Sequence, residues 1–291
     1  MAFDTFELND FNWNLGGKKF LHIFFFGDTH DCAEDSDDDY IQELRRQSEK
    51  SPYECSLFLG IGDYGDFAST SERRSINHAG LHDTTIAKLD REAHDDLNKR
   101  VKSLEFMRGR LIGLHNGNHD WCMSNGKYAS EILAERLGCR HLGYSAHSRI
   151  AVKQIFPRGG TCSLITIFSS HGKGSGKLLG SPWNSLEQMS RIINNADLYA
   201  MGHDHSLGSI PDTRLEVVYN NKSKQSELKM VKRLFIRTGS SLRGYVPGKR
   251  SYISKALYKP CSLGFPQAIV SWKRSYDGGK DVLVKDIHSF V

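Results

Sequence analysis

Short apolar runs alternate with longer amphipathic segments over the first two hundred residues of the chain. The apolar runs predict five strands, at residues 18–26, 55–61, 110–115, 164–168 and 197–201. The amphipathic segments predict four helices, at residues 40–49, 84–107, 128–137 and 181–195. Unbroken apolar runs are typical of strands covered on both faces, and apolar residues every three or four positions are typical of helices. This order predicts an α/β fold in which helices cover a sheet.

The two ends of the chain depart from this alternation. Residues 1–17 read as a polar lead-in, and beyond residue 210 the pattern predicts strands at 228–237, 267–272 and 281–287. We expect these strands to belong to a second sheet packed on the first. Because no repeat, linker or low-complexity segment interrupts the sequence, residues 1–291 are predicted to form one domain, with a basic β-rich part from about residue 206 completing the second sheet.

Composition indicates an ordinary globular protein, with 38% hydrophobic and 25% charged residues among 291. The six cysteines include no C-x-x-C pair, which predicts reduced thiols in a cytoplasmic protein rather than disulfides or a zinc knuckle. No apolar run approaches the roughly 20 residues that cross a bilayer, and the N-terminus lacks a basic and apolar leader. We therefore expect a cytoplasmic location without membrane attachment.

Charge is unevenly distributed along the chain, although its net value is only +5. Residues 1–60 hold 13 acidic and 5 basic residues, whereas residues 201–291 hold 16 basic and 7 acidic ones. A basic C-terminal third interleaved with tyrosines is suited to a polyanion such as nucleic acid. A solvated face without a partner explains the same charges, and the sequence leaves both interpretations open.

Polar clusters follow each of the five predicted strands. They are Asp28-Thr29-His30, Gly62-Asp63-Tyr64-Gly65-Asp66, Gly117-Asn118-His119-Asp120, Ser170-His171-Gly172 and Gly202-His203-Asp204-His205. Because ligands of α/β sheets bind at the carboxyl ends of strands, these side chains are expected to meet at one edge. The donors are carboxylate and amide oxygens and imidazole nitrogens without a thiolate, which favours Mn, Fe or Zn. Seven such donors are too many for one ion and suit a pair.

The order D-x-H, G-D-x-x-D, G-N-H-D, H and G-H-x-H resembles that of the calcineurin-like metallophosphoesterase superfamily. The resemblance covers residues 28–205 and implies a four-layer α-β-β-α sandwich, in which two mixed β-sheets are flanked by helices. It also implies a dinuclear metal-dependent phosphoester hydrolase that attacks phosphorus with a metal-bridging hydroxide. Mn²⁺ is the expected ion, with Fe, Zn and Ni as alternatives.

The resemblance assigns a role to each matching residue. One metal would be held by Asp28, His30 and His205, and the other by Asn118, His171 and His203. Asp63 would bridge both ions, with one carboxylate oxygen for each. His119 would protonate the leaving group, and Asp66 would orient His119, as aspartate orients histidine in hydrolytic triads.

The substrate class is narrowed by departures from the patterns of related enzymes. Asp66 stands where purple acid phosphatases have a tyrosine ligand, and Phe67 and Asp120 differ from the residues of serine/threonine protein phosphatases. G-N-H-D with G-H-x-H is closer to phosphodiesterases and DNA-repair nucleases, so we expect a phosphodiesterase acting on nucleic acid or nucleotides. The alternatives are a phosphomonoesterase for a small molecule or phosphoprotein and, more remotely, a non-catalytic scaffold. Lys173 and Lys177 are the candidate substrate-binding residues, on a loop that could equally be solvated.

Overall fold

A computed structural model describes residues 6–31, 33–66, 80–156, 159–174, 178–220, 223–249, 251–255, 257–277 and 280–290. The strands are β1 (Phe6–Asn14), β2 (Phe20–Phe26), β3 (Ser56–Gly60), β4 (Leu111–Leu114), β5 (Ser145–Phe156), β6 (Gly159–Ser170), β7 (Leu198–Met201), β8 (Leu207–Asn220), β9 (Gln225–Thr238), β10 (Gln267–Asp277) and β11 (Lys280–Phe290). The helices are α1 (Tyr40–Ser48), α2 (Asp83–Leu104), α3 (Ala129–Leu137), α4 (Ser181–Ile192) and α5 (Tyr252–Lys255).

The strands form two mixed sheets. The five-stranded sheet has the order β11-β10-β2-β3-β4, in which β2, β3 and β4 are parallel and β10 runs antiparallel to β2. The six-stranded sheet has the order β1-β5-β6-β7-β9-β8, in which β6, β7 and β9 are parallel. Strands β8 and β9 join the six-stranded sheet and β10 and β11 the five-stranded one, so the C-terminal segment supplies strands to both. That the chain is a single domain stays a prediction.

Side chains alternate between the faces of β2, and this alternation shows how the layers are stacked. Leu21, Ile23 and Phe25 pack in a core shared with the six-stranded sheet, whereas Phe24 and Phe26 pack beneath helices α1, α2 and α3. Burying each of these large apolar side chains stabilises the fold by about 1.5–3 kcal/mol relative to exposure. The opposite face of the six-stranded sheet is covered by α4. The layers are therefore α-β-β-α, and the predicted fold class is confirmed.

Two local expectations were wrong. The polar lead-in contains strand β1, which pairs in parallel with β5 at the edge of the six-stranded sheet. An edge strand is half-exposed and needs no unbroken apolar run, which is why the pattern missed it. Helix α4 ends at Ile192 rather than near Asn195.

Strands β8 and β9 extend beyond β7 as a two-stranded ribbon. The register places Leu215 opposite Met230 and Val217 opposite Leu228, and all four side chains are exposed. The other face carries ion pairs, including one between Arg233 and Asp212. Among the helices that the structure describes, none is both long and apolar enough to cross a membrane.

Candidate metal centre

The turns that follow β2, β3, β4, β6 and β7 carry the predicted donor residues. Within each sheet these strands are parallel, so their carboxyl ends lie at one edge. Backbone bonds join the turns: Asp28 N–H donates to Gly62 O at 2.9 Å, and His30 N–H donates to Asp63 O at 3.1 Å. Gly202 N–H donates to His171 O at 3.2 Å and links two turns of the six-stranded sheet. The topology thus brings donors from distant parts of the chain together.

One group of donors consists of Asp28, His30 and His205, whose ligand atoms all lie within 4.8 Å of one another. The Nε2 atoms of His30 and His205 are 3.2 Å apart, and Asp28 Oδ1 lies 3.9 Å from His205 Nε2. Asp28 Oδ1 is buried and has no hydrogen-bond partner. A buried carboxylate oxygen without a partner is costly unless a cation occupies the space before it. This group therefore fits a metal ion.

A second group consists of Asn118, His171 and His203. Asn118 Oδ1 lies 2.9 Å from His171 Nε2 and 2.6 Å from His203 Nδ1, and the two ring nitrogens are 3.1 Å apart. All three atoms are potential ligands for an ion of intermediate hardness. His203 presents its Nδ1 atom to this group, whereas His30, His171 and His205 each present Nε2 to the centre. Sequence spacing does not reveal this difference.

Asp63 lies between the two groups. Its Oδ2 atom is 3.9 Å from His30 Nε2 and 3.3 Å from His171 Nε2, so a single oxygen faces both. Its other oxygen, Oδ1, accepts the backbone N–H of His119 at 2.8 Å. The expectation of one oxygen for each ion differs from this geometry, because the backbone of the neighbouring turn already uses Oδ1.

Two of the candidate ligand histidines are oriented by hydrogen bonds at their second ring nitrogen. His171 Nδ1 donates to Ile61 O at 2.8 Å, and His30 Nδ1 donates to Asp66 Oδ1 at 3.0 Å. With the proton held on Nδ1, the Nε2 lone pair of a neutral ring faces the centre. Such outer partners typically fix the tautomer of metal-binding histidines.

Asp66 contacts His119 as well as His30. The same Oδ1 atom accepts from His119 Nδ1 at 2.5 Å, and the two imidazole rings meet edge to face with centroids 4.6 Å apart. Burial alone would raise the pKa of Asp66, but the two histidines outweigh it and hold the pKa well below its usual value. Asp66 is thus an ionised acceptor that orients both rings, whereas the sequence predicted only its contact with His119.

Backbone strain is concentrated at the centre. Five of the seven predicted metal ligands have φ between +39° and +73°, namely Asp28, His30, Asp63, His203 and His205. Residues other than glycine rarely adopt this region, and such strain is typical of functional sites held in place by their surroundings. Gly117 is required for another reason, because a Cβ atom there would collide with the carboxylate of Asp63.

The electrostatics of the centre suit cation binding. Burial, with the nearby Asp63, raises the pKa of Asp28 in spite of the neighbouring histidines. Burial lowers the pKa of His203 to about 4 and holds that of His205 well below its usual value, so both rings are neutral donors at pH 7. Burial would also lower the pKa of His171, but Asp63 and Asp28 outweigh it and raise that pKa to about 9. In the metal-free protein, a proton on His171 therefore partly neutralises the carboxylates.

Metal binding is expected to release protons, because a protonated imidazole cannot bind a cation. With its pKa at about 9, His171 is protonated at pH 7.5 and must lose this proton when Mn²⁺ binds. Proton release from His171 should be close to one per protein at pH 7.5, about half of that at pH 9 and nearly zero by about pH 11, while apparent affinity rises over the same interval. Titration calorimetry in two buffers of different ionisation enthalpy measures the number of protons, and zero release at pH 7.5 would contradict this assignment.

Several supporting residues carry no sequence signal. Ser240 Oγ donates to Asp28 O at 2.8 Å, and Ser241 Oγ donates to Thr29 O, so the turn after β9 holds the turn after β2. Ser130 Oγ donates to the half-buried carboxyl of Asp120, which stabilises the turn after β4. Isolated serines at these positions belong to no motif, so only the fold shows their roles.

The acidic segment 31–39 is anchored rather than free. Asp35 is buried and accepts Ser251 Oγ at 2.6 Å and Arg243 N–H at 2.9 Å. Asp37 accepts from the Arg243 guanidinium at 2.6 Å, and Asp31 pairs with the buried Arg100. These bonds connect the segment to the C-terminal part and to α2.

The basic C-terminal residues do not form one unpaired cationic stripe among the described residues. Arg237 is fully buried, and Lys232, Arg233 and Arg243 are each paired with an aspartate. This pairing leaves less free charge for a polyanion than the sequence suggests.

The structure describes one of the two candidate substrate-binding lysines. Lys173 is exposed beside the centre, since a Cβ on the adjacent Gly174 would lie 3.5 Å from His203 Nε2. Lys177 lies outside the described residues.

Comparisons with known proteins give distant structural likenesses. No family model matches the chain, and the curated proteins likewise contain no match. Among solved structures, the chain is similar to vacuolar protein sorting 29 from Cryptosporidium parvum, with 16% identity and a TM-score of 0.39 over 94% of this chain and 100% of that one.

A second similar structure is GAP50, the anchor in the inner membrane complex of Plasmodium. It has 11% identity and a TM-score of 0.39 over 93% of this chain and 88% of that one. Likenesses this distant carry no argument about function. What identifies the chain is its own architecture, an α-β-β-α sandwich with clustered His and Asp side chains that could bind metal ions.

Proposed function

We propose that this protein is a dinuclear-metal-dependent phosphoester hydrolase, and specifically a phosphodiesterase acting on nucleotides or nucleic acid. The observation that carries the proposal is the position of Asp63 Oδ2, which lies between two separate groups of His, Asp and Asn donors. One ion would be held by Asp28, His30 and His205, the other by Asn118, His171 and His203, and Asp63 would contact both. When bound, a pair of divalent cations clamps the phosphate oxygens and lowers the pKa of a water molecule.

His119 would supply the proton that the leaving group needs. Asp66 accepts from His119 Nδ1 at 2.5 Å, which leaves Nε2 as the nitrogen that would donate to an alkoxide. The backbone N–H of His119 is bonded to Asp63 at 2.8 Å, so the acid is fixed relative to the predicted bridging ligand. A positioned acid of this kind typically accelerates a reaction about 10²–10⁴-fold.

A phosphodiester substrate, rather than a monoester, is supported by the presence of both the G-N-H-D and the G-H-x-H motif. Because Arg237 is buried and Lys232 and Arg233 are paired with aspartates, fewer free cations remain for a long polyanion, which favours a nucleotide-sized diester. Lys173 is the candidate contact for a substrate phosphate.

The test compares hydrolysis of bis-p-nitrophenyl phosphate and p-nitrophenyl phosphate with Mn²⁺, with and without EDTA. We expect faster turnover of the diester and none in EDTA, followed by activity on cyclic nucleotides or single-stranded DNA in a wider panel. Turnover of the monoester alone would select a phosphomonoesterase. Binding of Mn²⁺ without hydrolysis of any phosphoester would select a non-catalytic role.

A further inference from the structure

Arg237 is a buried cation next to the candidate metal centre. It lies on β9 opposite Met201, the last residue of β7, and its side chain has no exposed surface. Burying a guanidinium is costly unless its donors are bonded and its charge is paired. Its pKa is lowered by burial, although Asp204 and Asp28 act in the opposite direction. Its partners therefore indicate what this cation does.

The partners lie on the turn that carries two candidate ligands and on the helix beside it. Nη1 donates to Gly202 O at 3.1 Å and lies 3.1 Å from Asp204 Oδ2, while Nε donates to Pro182 O at 3.1 Å. The planar fork of arginine can hold several acceptors in fixed directions, which a lysine ammonium cannot. Arg237 thus clamps the 202–204 backbone to the start of α4.

The clamped turn contributes one ligand to each of the two donor groups. His203 faces Asn118 and His171, whereas His205 faces His30, and Asp204 separates the two. His203 and His205 have φ of +73° and +55°, so their backbone must be held against strain. A single anchor at Gly202 and Asp204 therefore acts on both groups at once.

We propose that Arg237 is the positioning residue of the centre and that, through Gly202 and Asp204, it sets the affinity for both metal ions together. This inference rests on the proposed function, because it requires that the two donor groups bind metal. It predicts that the Arg237→Lys and Arg237→Met variants bind each of two Mn²⁺ ions about 10–100-fold more weakly, the usual effect of losing an outer-shell partner. His171→Ala, in contrast, should weaken one ion selectively.

The matched control is Arg110, a second buried arginine at the amino end of β4. Its guanidinium donates to Phe106 O and packs over the Tyr53 and Phe58 rings at 4.7 and 5.0 Å, away from the donor groups. Arg110→Lys should lower the melting temperature of the metal-free protein without changing either Mn²⁺ dissociation constant. A general loss of packing and a specific loss of positioning are thereby separated.

The experiment is Mn²⁺ titration calorimetry of the full chain, with melting temperatures measured with and without Mn²⁺. If the wild type binds no Mn²⁺, the proposed function fails. If the wild type binds two Mn²⁺ ions and the Arg237→Lys variant binds both with unchanged affinity, the role of Arg237 is overturned. The same holds if the variant binds only one of the two ions more weakly. If the Arg237 variants do not fold, Asp204→Asn decides, because it leaves the carbonyl contacts of Arg237 in place. The Asp204→Asn variant is expected to bind both Mn²⁺ ions at least about tenfold more weakly. Unchanged dissociation constants for this variant would overturn the inference.

Discussion

Replacing His119 with alanine is expected to slow hydrolysis of an alkyl or nucleoside phosphodiester by about 10²–10⁴-fold, the usual contribution of a positioned general acid. The expected metal content is unchanged, because the His119 ring is bonded to Asp66 and packs edge to face on the His30 ring, and His119 is not one of the residues assigned to either ion. The backbone bond from His119 to Asp63 survives this substitution. Steady-state rates and Mn²⁺ content after dialysis measure the two effects.

The leaving group supplies the control for this prediction. p-Nitrophenolate is a stable anion and needs little protonation, so the His119→Ala variant should lose much less activity on bis-p-nitrophenyl phosphate than on an alkyl ester. His94→Ala provides a matched substitution on α2, where the ring contacts Arg136 at 3.3 Å. Equal losses on both substrates, or loss of metal from His119→Ala, would show that His119 has another role.

Replacing Asp63 with asparagine is expected to prevent tight binding of both ions. Asp63 Oδ2 faces His30 at 3.9 Å and His171 at 3.3 Å, so one negative charge serves both donor groups. Metal at 100 times its dissociation constant should stabilise the wild type by about 2.7 kcal/mol per site, and Asp63→Asn should lose this gain at both sites. Chemical unfolding with and without Mn²⁺ measures the difference.

Asp28→Asn is the matched control, because Asp28 belongs to one donor group only. This substitution retains the shape of the Asp28 side chain. It removes the negative charge at Oδ1, the buried atom that lacks a hydrogen-bond partner. We expect this variant to lose one ion and Asp63→Asn to lose two. The same residual metal content in both variants would contradict the position assigned to Asp63.

The sequence predicts the layers and the donor residues because both depend on local patterns. Unbroken apolar runs such as 20–26 can be buried on two faces, and polar residues directly after such runs must lie at a strand end. The same patterns do not predict the edge strand β1. Its side chains are half-exposed, and it pairs with β5, which is distant in the sequence.

Details of the centre depend on contacts between turns, which no single segment encodes. Asp66 is shared by His30 and His119, and Asp63 faces both groups through one oxygen. In the sequence, Arg237 is indistinguishable from the other cations of the basic C-terminal part. Only the fold shows that it contacts the 202–204 turn. These features arise only when five strand ends meet.

The most direct test of the dinuclear centre is a crystal structure of the Mn²⁺-soaked protein with anomalous diffraction at the manganese edge. We predict two anomalous peaks about 3.5–4 Å apart. One should be bound by Asp28, His30 and His205, the other by Asn118, His171 and His203, with Asp63 touching both. No peak at these residues, or one ion bound by the His30, Asp66 and His119 group instead, would contradict the account.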